Sequence, residues 1–286
     1  MKFNKFDDDC ANDLAYEVYS TKENIVFQST DGIKNRVIIF FSGHGLYYPN
    51  TYDSFKKEVI TNDKYEWKKI ASNTRVSSLA EEIIFVRDIY KIWCINGINA
   101  KVDSQDKLAK FLKQIVGNRE VITVGSSAGG YMAILFGTLL NASSIYALSP
   151  QVNLHEYNKD HTIDHYNDWL ATPDILKYMD LKPYIDKFTG NLFYWYPAKC
   201  REDQRQYAAI KSCANIHFFA MDQSEHGATL WGESIIRTLE LKQEKIIALS
   251  EKYEGKIIKP GTYCKESSGA IKAMIISLGK TIKKYR

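Results

Sequence analysis

One serine lies in a run of small residues that is typical of an activated nucleophile. The motif GSSAG, residues 125–129, follows the apolar run Val121–Gly125 and leads into the apolar stretch Tyr131–Leu140. A serine between a strand and a helix adopts a strained turn that projects its hydroxyl, and flanking glycines avoid backbone clashes there. We therefore predict Ser127 as the nucleophile. The alternatives are a glycine-rich turn that only starts a helix, or a phosphate loop, which the missing Lys-Ser/Thr disfavours.

The same turn predicts part of an oxyanion site. The N–H of Ala128, at the start of the helix, is unpaired and can donate to a developing negative charge. A second donor is expected in the loop after an early strand, and Arg36–Phe41 is followed there by Ser42-Gly43-His44-Gly45. Glycines let backbone N–H groups approach a ligand, so Gly43 or a neighbour is the predicted donor. An ordinary strand-ending turn is the alternative. We also predict that His44 contacts substrate.

A serine hydroxyl is a weak nucleophile and needs a general base oriented by a third group. On a strand-to-helix turn of this kind, the acid and then the histidine follow the serine in loops after later strands. That order selects His226, which follows the run Ile216–Met221 and precedes Gly227, whose freedom permits a sharp turn. The remaining histidines are His44, His155, His161, His165 and His217.

The predicted acid is Asp203, in the loop after the run Leu192–Tyr196 and at the start of a helical segment. Glu202 and Asp222 are its rivals for the role. A purely structural role for Asp203 as a helix N-cap is also open, because aspartate is favoured at that position.

The elements that must position these residues alternate along the chain. Nearly continuous apolar runs predict strands that are buried on both faces, and segments such as Gln105–Val116 have apolar residues at helical spacing. This alternation predicts an α/β fold, a mostly parallel central sheet with helices on both faces. The predicted strands are Asn24–Gln28, Arg36–Phe41, Ile83–Val86, Val121–Gly125, Ser144–Leu148, Leu192–Tyr196 and Ile216–Met221.

Two segments interrupt the alternation. Residues 151–190 contain no clear strand and predict an insertion, or lid, over the carboxyl end of the sheet. Its Tyr157 and Trp169 are candidates for contacting substrate, with burial in the lid as the alternative. Residues 255–286 follow the catalytic domain, predicted at 1–254, as a basic extension with eight Lys/Arg and one Glu. A basic amphipathic helix there can lie on an anionic membrane or cap the domain.

The composition of the 286 residues excludes several classes of protein. The net charge of +4 is too small to argue for nucleic acid, and 45% hydrophobic residues is ordinary for a globular protein. The five cysteines form no CxxC pair, so we expect neither a disulfide scaffold nor a metal site. The amino terminus lacks the apolar core of a signal peptide, and a cytoplasmic location is the expectation.

Several of these motifs together resemble the bacterial capsular-polysaccharide O-acetyltransferases of α/β-hydrolase type. The resemblance covers roughly residues 30–235 and is carried by FFSGHG (40–45), IIFVRDIYKIWCINGI (83–98), VGSSAGGYMAILFG (124–137) and a late acid followed by His-Gly. Val86, Arg87, Asp88 and Trp93 add specificity beyond the nucleophile motif.

This resemblance implies an α/β-hydrolase fold and a triad of Ser127, Asp203 and His226. It also implies transfer of acetyl from acetyl-CoA, through an acetyl-serine, to a hydroxyl of a capsular or surface polysaccharide, with no bound cofactor. Contact with capsule-assembly proteins or with the membrane would fit that role. An esterase or thioesterase of the same fold is the alternative, and a catalytically silent glycan-binding scaffold is a further one.

Overall fold

The computed structural model describes residues 9–268, except residues 162, 164, 165, 228 and 231. Its centre is one sheet of eight strands. The strands are β1 (Ile25–Ser29), β2 (Arg36–Phe41), β3 (Glu82–Val86), β4 (Glu120–Ser126), β5 (Ser144–Leu148), β6 (Asn191–Pro197), β7 (Ile216–Met221) and β8 (Ile257–Ile258).

The strand order is β1-β3-β2-β4-β5-β6-β7-β8. All neighbouring strands are parallel except β1, which pairs antiparallel with β3 at one edge. Parallel strands bring their carboxyl ends to one edge of the sheet, so the loops after β2, β3, β4, β5, β6 and β7 meet there. The chain has the α/β-hydrolase-like architecture that the sequence predicts.

Helices cover both faces of this sheet. Those before the nucleophile turn are α1 (Asp9–Thr21), α2 (Tyr52–Phe55), α3 (Lys68–Ala71), α4 (Thr74–Ser77) and α5 (Gln105–Val116), with a 3₁₀ turn at His44–Leu46 and a π-helical turn at Lys56–Thr61. Those after it are α6 (Ala128–Leu139), α7 (Leu154–Asp160), α8 (Tyr166–Leu170), α9 (Pro173–Leu176), α10 (Lys182–Ile185), α11 (Arg201–Ile210), α12 (Glu233–Glu240), α13 (Gln243–Lys252) and α14 (Pro260–Ser268).

The core is divided by the sheet into two layers. One layer packs α1, α5, α6 and α10 against the sheet, and α6 is buried along most of its length because apolar side chains surround it. The other layer packs α3, α4, α12, α13 and α14 against the opposite face. Burial of both faces explains why β2, β4 and β5 have continuous apolar sequences instead of alternating ones.

Seven apolar runs of the sequence correspond to strands, and three of them have the predicted bounds: β2, β5 and β7. The segment 232–252 forms two helices, α12 and α13. Leu241 and Lys242 adopt extended backbone between them, with ψ of 141° and 142°. Among the described residues of 151–190 there is no strand, and the segment forms the short helices α7 to α10. An isolated antiparallel bridge pairs Asn153, before α7, with Asp180, before α10.

The first part of the basic extension is integrated into the sheet. It supplies β8 and α14, and the ring of Tyr263 is buried against Trp195 and Phe219. This burial ties residues 257–268 to the same core as the preceding helices. The predicted amphipathic segment after residue 268 lies outside the described residues. No helix within the described part of the chain is both long and apolar enough to cross a membrane.

Candidate active site

Ser127 stands at the turn between β4 and α6. Its backbone has φ 57° and ψ −123°, a left-handed conformation that residues other than glycine rarely adopt. The turn is tight, because a Cβ on Gly125 would lie 2.0 Å from the Gly129 carbonyl oxygen, and one on Gly129 would lie 2.4 Å from the Phe41 oxygen. The glycines of the motif are therefore required by backbone contacts, and the serine side chain projects above the carboxyl edge of the sheet.

The structure brings the three predicted triad residues into hydrogen-bond contact. Ser127 Oγ lies 2.8 Å from His226 Nε2, and His226 Nδ1 lies 2.9 Å from Asp203 Oδ2. Asp203 is completely buried, whereas His226 retains 29% of its side-chain exposure. A carboxylate can only accept, so His226 Nδ1 carries the proton and Nε2 presents a lone pair to the serine hydroxyl. This is the arrangement in which a histidine can remove the serine proton.

The electrostatics of His226 suit a general base. Burial lowers the pKa of the imidazole, but the hydrogen bond and charge of Asp203, with the charge of Glu202, outweigh it and raise the pKa above its ordinary value. The same interactions stabilise the imidazolium that forms when the serine proton is taken.

The rival acids are placed less well. Glu202 Oε1 is 4.0 Å from His226 Nδ1, and its other oxygen is 3.1 Å from His161 Nε2. Asp222 forms an ion pair with Lys199. Asp203 is in the first turn of α11, whose N-cap is Cys200, so Asp203 is not the cap residue.

Two of the other histidines, His217 and His155, have partners of their own. His217 bonds to Ser250 and Asn191, and His155 Nδ1 lies 2.7 Å from the Tyr166 hydroxyl. His165 lies outside the described residues.

Contacts with the insertion hold α11 in place. Gln206 accepts from the Asn153 N–H at 2.8 Å and donates to the Asn153 carbonyl at 3.1 Å. Arg205 pairs with Asp160 at 2.6 Å. These bonds fix the helix that carries Asp203 relative to the segment after β5, so the triad geometry depends on the insertion.

The two predicted oxyanion donors differ in their surroundings. Ala128 is the first residue of α6, so its N–H has no hydrogen-bond acceptor within the helix. The Gly43 N–H, in contrast, donates to the carboxylate of Glu66 through a short hydrogen bond. Burial raises the pKa of Glu66 even though the Gly43 bond opposes that shift. Gly43 is thus beside the turn, but its donor already has an acidic partner.

His44 occupies the loop after β2 as a neutral imidazole. Burial, and then the charge of Lys91, lower the pKa of His44 to about 3. Its ring lies 5.2 Å from the ring of Trp93, and its Nε2 is buried with no hydrogen-bond partner among the described residues. The Lys91 ammonium donates to the carbonyl oxygens of His44 and Tyr47 at 3.1 and 2.8 Å. Those bonds hold the loop against the segment after β3.

The segment after β3 is organised by one carboxylate. Asp88 accepts four backbone N–H bonds, at 2.7 to 3.1 Å, from residues 90, 91, 92 and 94. Three residues of this loop, Lys91, Trp93 and Cys94, have positive φ, a conformation that is costly for side chains and that the Asp88 bonds compensate. Burial raises the pKa of Asp88 to about 6, against the opposing effect of those bonds. The strained loop delivers Trp93 to the site.

The two aromatic residues predicted to contact substrate pack around Trp93. Tyr157 and Trp169 meet its ring edge-to-face, with centroids at 5.2 and 6.2 Å. Trp169 is only 5% exposed, so most of its ring is part of the insertion's packing. Tyr157 is half-buried and also stacks on His161 at 4.5 Å. Tyr157 therefore has more surface to offer a ligand than Trp169 has.

Two residues that sequence reasoning missed contact the predicted machinery. Glu66 binds the Gly43 amide, and Gln151 donates its side-chain amide to Ser127 Oγ at 3.4 Å. Gln151 had a detectable signal, because it follows β5 within three residues at the carboxyl edge of the sheet. Glu66 had no such signal in the sequence, since it precedes α3 in a stretch with no motif.

A cavity of about 280 Å³ opens beside the nucleophile turn. It is lined by Glu66, Trp67, Ile70, Ser126, Leu148, Leu230, Gly232 and Ile235. Its walls are mostly apolar with one carboxyl group, which suits a short acyl chain better than a charged ligand. Within the described residues, no cluster of His, Cys, Asp and Glu has the geometry to hold a metal ion.

Comparison with known proteins gives similar structures at low identity. No family model matches the sequence, and the search of curated proteins gave no match. The capsule O-acetyltransferase of Neisseria meningitidis serogroup A, in a mutant complex with CoA, is 17% identical, with a TM-score of 0.46 over 83% of this chain and 97% of that one. MenH from S. aureus is 10% identical, with a TM-score of 0.43 over 87% and 100%.

A thermophilic esterase from Thermogutta terrifontis is 11% identical, with a TM-score of 0.41 over 82% of this chain and 96% of the esterase. The capsule O-acetyltransferase is thus among the solved structures that this chain is similar to, as its motifs predict. The chemistry proposed for this chain rests on the geometry of its own residues.

Proposed function

We propose that this protein is a serine-dependent O-acetyltransferase that moves acetyl from acetyl-CoA to a hydroxyl of a capsular or surface polysaccharide. The observation that carries the proposal is the hydrogen-bonded series Ser127, His226 and Asp203 on a strained strand-to-helix turn. This arrangement activates a hydroxyl for attack on an acyl carbonyl. The nature of the donor and of the acceptor comes from the resemblance of the sequence motifs to capsule acetyltransferases.

In the first half-reaction, Ser127 Oγ attacks the thioester carbonyl while its proton moves to His226 Nε2. The tetrahedral oxyanion is stabilised by the Ala128 N–H at the start of α6. The carbon–sulfur bond then breaks, His226 returns its proton to the CoA sulfur, and an acetyl ester remains on Ser127. Asp203 stays ionised and stabilises the imidazolium in between.

In the second half-reaction, a sugar hydroxyl attacks the acetyl ester and gives its proton to His226 Nε2. The bond to Ser127 Oγ breaks, and the same proton returns to that oxygen, so the enzyme is regenerated without a cofactor. Transfer exceeds hydrolysis only when the acceptor is held in line and water is kept away. The insertion that contains Tyr157 is the proposed acceptor surface, with His44 contributing from the opposite loop.

Gly43 is the proposed second oxyanion donor, and Glu66 then competes with the oxyanion for the Gly43 N–H. An oxyanion that binds the Gly43 N–H must replace the Glu66 carboxylate, whose negative charge also opposes it. In Glu66→Gln the amide oxygen still accepts from Gly43 while the charge is lost. We expect acylation of Ser127 to become several-fold faster, roughly three- to tenfold, measured by stopped-flow release of CoA. An unchanged or slower acylation rate would refute the proposed role of Gly43 as an oxyanion donor.

The experiment that tests the function has two stages. First, a fluorophosphonate probe should label the folded wild type and fail to label Ser127→Ala, because only a nucleophilic serine reacts. Second, CoA release from acetyl-CoA should accelerate when capsule oligosaccharides are added, with acetyl recovered on the sugar by mass spectrometry. CoA release that no oligosaccharide accelerates, with free acetate as product, would identify a thioesterase, and absence of labelling would identify a silent scaffold.

A further inference from the structure

The Ser127 hydroxyl has a second hydrogen-bond partner besides His226. The side-chain amide of Gln151 lies 3.4 Å from Ser127 Oγ, and its other end lies 2.7 Å from the indole nitrogen of Trp93. Gln151 is 2% exposed and Trp93 is 3% exposed, so the bond between them is buried, while the bond from Gln151 to Ser127 is partly buried. The buried bond to Trp93 fixes the orientation of the Gln151 amide, because hydrogen bonds are stronger away from water.

The chemistry of the two ends fixes the direction of these bonds. The Trp93 indole nitrogen can only donate, so the oxygen of the Gln151 amide must face it, and the NH2 group must face Ser127. At the far end the Asp203 carboxylate can only accept, so His226 Nδ1 donates to it and Nε2 accepts from the serine. Ser127 Oγ therefore accepts from Gln151 and donates its proton to His226.

The result is one continuous chain with all its hydrogen bonds in the same direction. It runs from Trp93 through Gln151, Ser127 and His226 to Asp203. Bonds aligned in this way polarise each other, and the Gln151 N–H occupies one lone pair of Oγ so that the hydroxyl hydrogen points at His226. As that proton leaves, the negative charge on Oγ strengthens the bond from Gln151.

The backbone around Gln151 is held close to the nucleophile helix. A Cβ on Gly130 of α6 would lie 2.8 Å from Pro150 Cβ, so α6 and the segment after β5 are in direct contact. The Ser149 N–H donates to the Trp195 carbonyl at 2.7 Å. Because its support is this rigid, Gln151 does not depend on substrate to reach Ser127.

We propose that Gln151 is a catalytic residue that donates to Ser127 Oγ during acyl transfer, and that Trp93 is the positioning residue that fixes the direction of its amide. The proposal rests on the proposed serine chemistry and extends it. It also gives the insertion a role in reactivity, since Tyr157 and Trp169 pack on the same Trp93 ring.

The test uses the full-length protein and saturation kinetics with a fluorophosphonate probe. Loss of one donor to a developing negative charge costs about 10² to 10³ in rate when the bond is short, and the 3.4 Å distance lowers our expectation to about ten- to a hundredfold. We expect Gln151→Leu to reduce the maximal labelling rate by this factor with the half-saturating probe concentration unchanged. Trp93→Phe keeps an aromatic ring but loses the N–H, and it should reduce the same rate by a smaller factor.

The double variant distinguishes positioning from packing. If Trp93 acts through Gln151, Trp93→Phe in the Gln151→Leu background costs nothing more in rate. The matched control is Gln105→Leu, another buried glutamine of this cluster, whose amide donates to the Trp93 carbonyl at 2.9 Å but does not contact Ser127. Its labelling rate should stay within about threefold of wild type.

Several results would overturn the proposal while the serine chemistry stands: wild-type labelling rates in Gln151→Leu, multiplied losses in the double variant, or an equal loss in Gln105→Leu. If Gln151→Leu does not fold, as judged by circular dichroism, labelling of Trp93→Phe at the wild-type rate would overturn the proposal in its place. A wild type that is not labelled at all would instead refute the proposed function.

Discussion

The strained backbone of Ser127 leads to a prediction about stability. A residue held at φ 57° and ψ −123° costs about 1–3 kcal/mol when it carries a Cβ. Ser127→Gly removes that cost but adds about 0.5–1 kcal/mol of backbone entropy to the unfolded chain. Ser127→Ala loses the same hydrogen bonds to His226 and Gln151 but keeps the Cβ. The difference in unfolding free energy between the two variants therefore equals the strain less the entropy cost of glycine.

We expect Ser127→Gly to be more stable than Ser127→Ala by about 0.5–2 kcal/mol. For a chain of this size, that corresponds to a rise of about 1–4 °C in the melting temperature. Calorimetry or urea unfolding of both variants measures the difference, and neither variant should react with a fluorophosphonate.

A neighbouring serine provides the control for this comparison. Ser126 ends β4 with ordinary backbone, so Ser126→Gly should be less stable than Ser126→Ala, by about 0.5–1 kcal/mol. The opposite signs at adjacent positions are the signature of strain confined to residue 127. If Ser127→Gly melts at or below the temperature of Ser127→Ala, the strain at residue 127 does not exceed the entropy cost of glycine and the reasoning fails.

Two further predictions concern the triad and the turn. Asp203→Asn should lower kcat about 10³- to 10⁴-fold, since an amide no longer fixes the histidine tautomer. Against the opposing effect of burial, the hydrogen bond and the charge of Asp203 raise the pKa of His226. The wild-type rate should therefore fall on acidification at a pH above the ordinary histidine value of ~6.5, and the residual rate of Asp203→Asn should fall at a lower pH. A variant whose rate falls at the same pH as that of the wild type would contradict this. Gly125→Ala should destabilise the fold by about 3 kcal/mol or more, because its Cβ would meet the Gly129 carbonyl at 2.0 Å, whereas Gly261→Ala, with open space around it, should unfold in urea within about 0.5 kcal/mol of wild type.

Local sequence was sufficient for the elements and for the three triad candidates. Strands buried on both faces have continuous apolar runs, so the runs at β2, β5 and β7 match the observed bounds. The GSSAG motif by itself predicts the tight turn, because only glycine fits at positions 125 and 129. Chain order then selected Asp203 and His226, since the loops after successive parallel strands meet at one edge of the sheet.

The three-dimensional arrangement decided what no local pattern encodes. Glu66 reaches the site from a segment without a motif, and although Gln151 follows a strand, only the fold shows that it contacts Ser127; these contacts, with Gly43 and Ser127, join positions 23 and 24 residues apart. The break at Leu241 and the packing of Tyr263 likewise depend on the shape of the core. Sequence alone was enough to predict Ser127 as the candidate nucleophile, because its setting is a backbone turn of five residues. Which donors surround it was decided by packing between distant segments, because hydrogen bonds depend on distance in space.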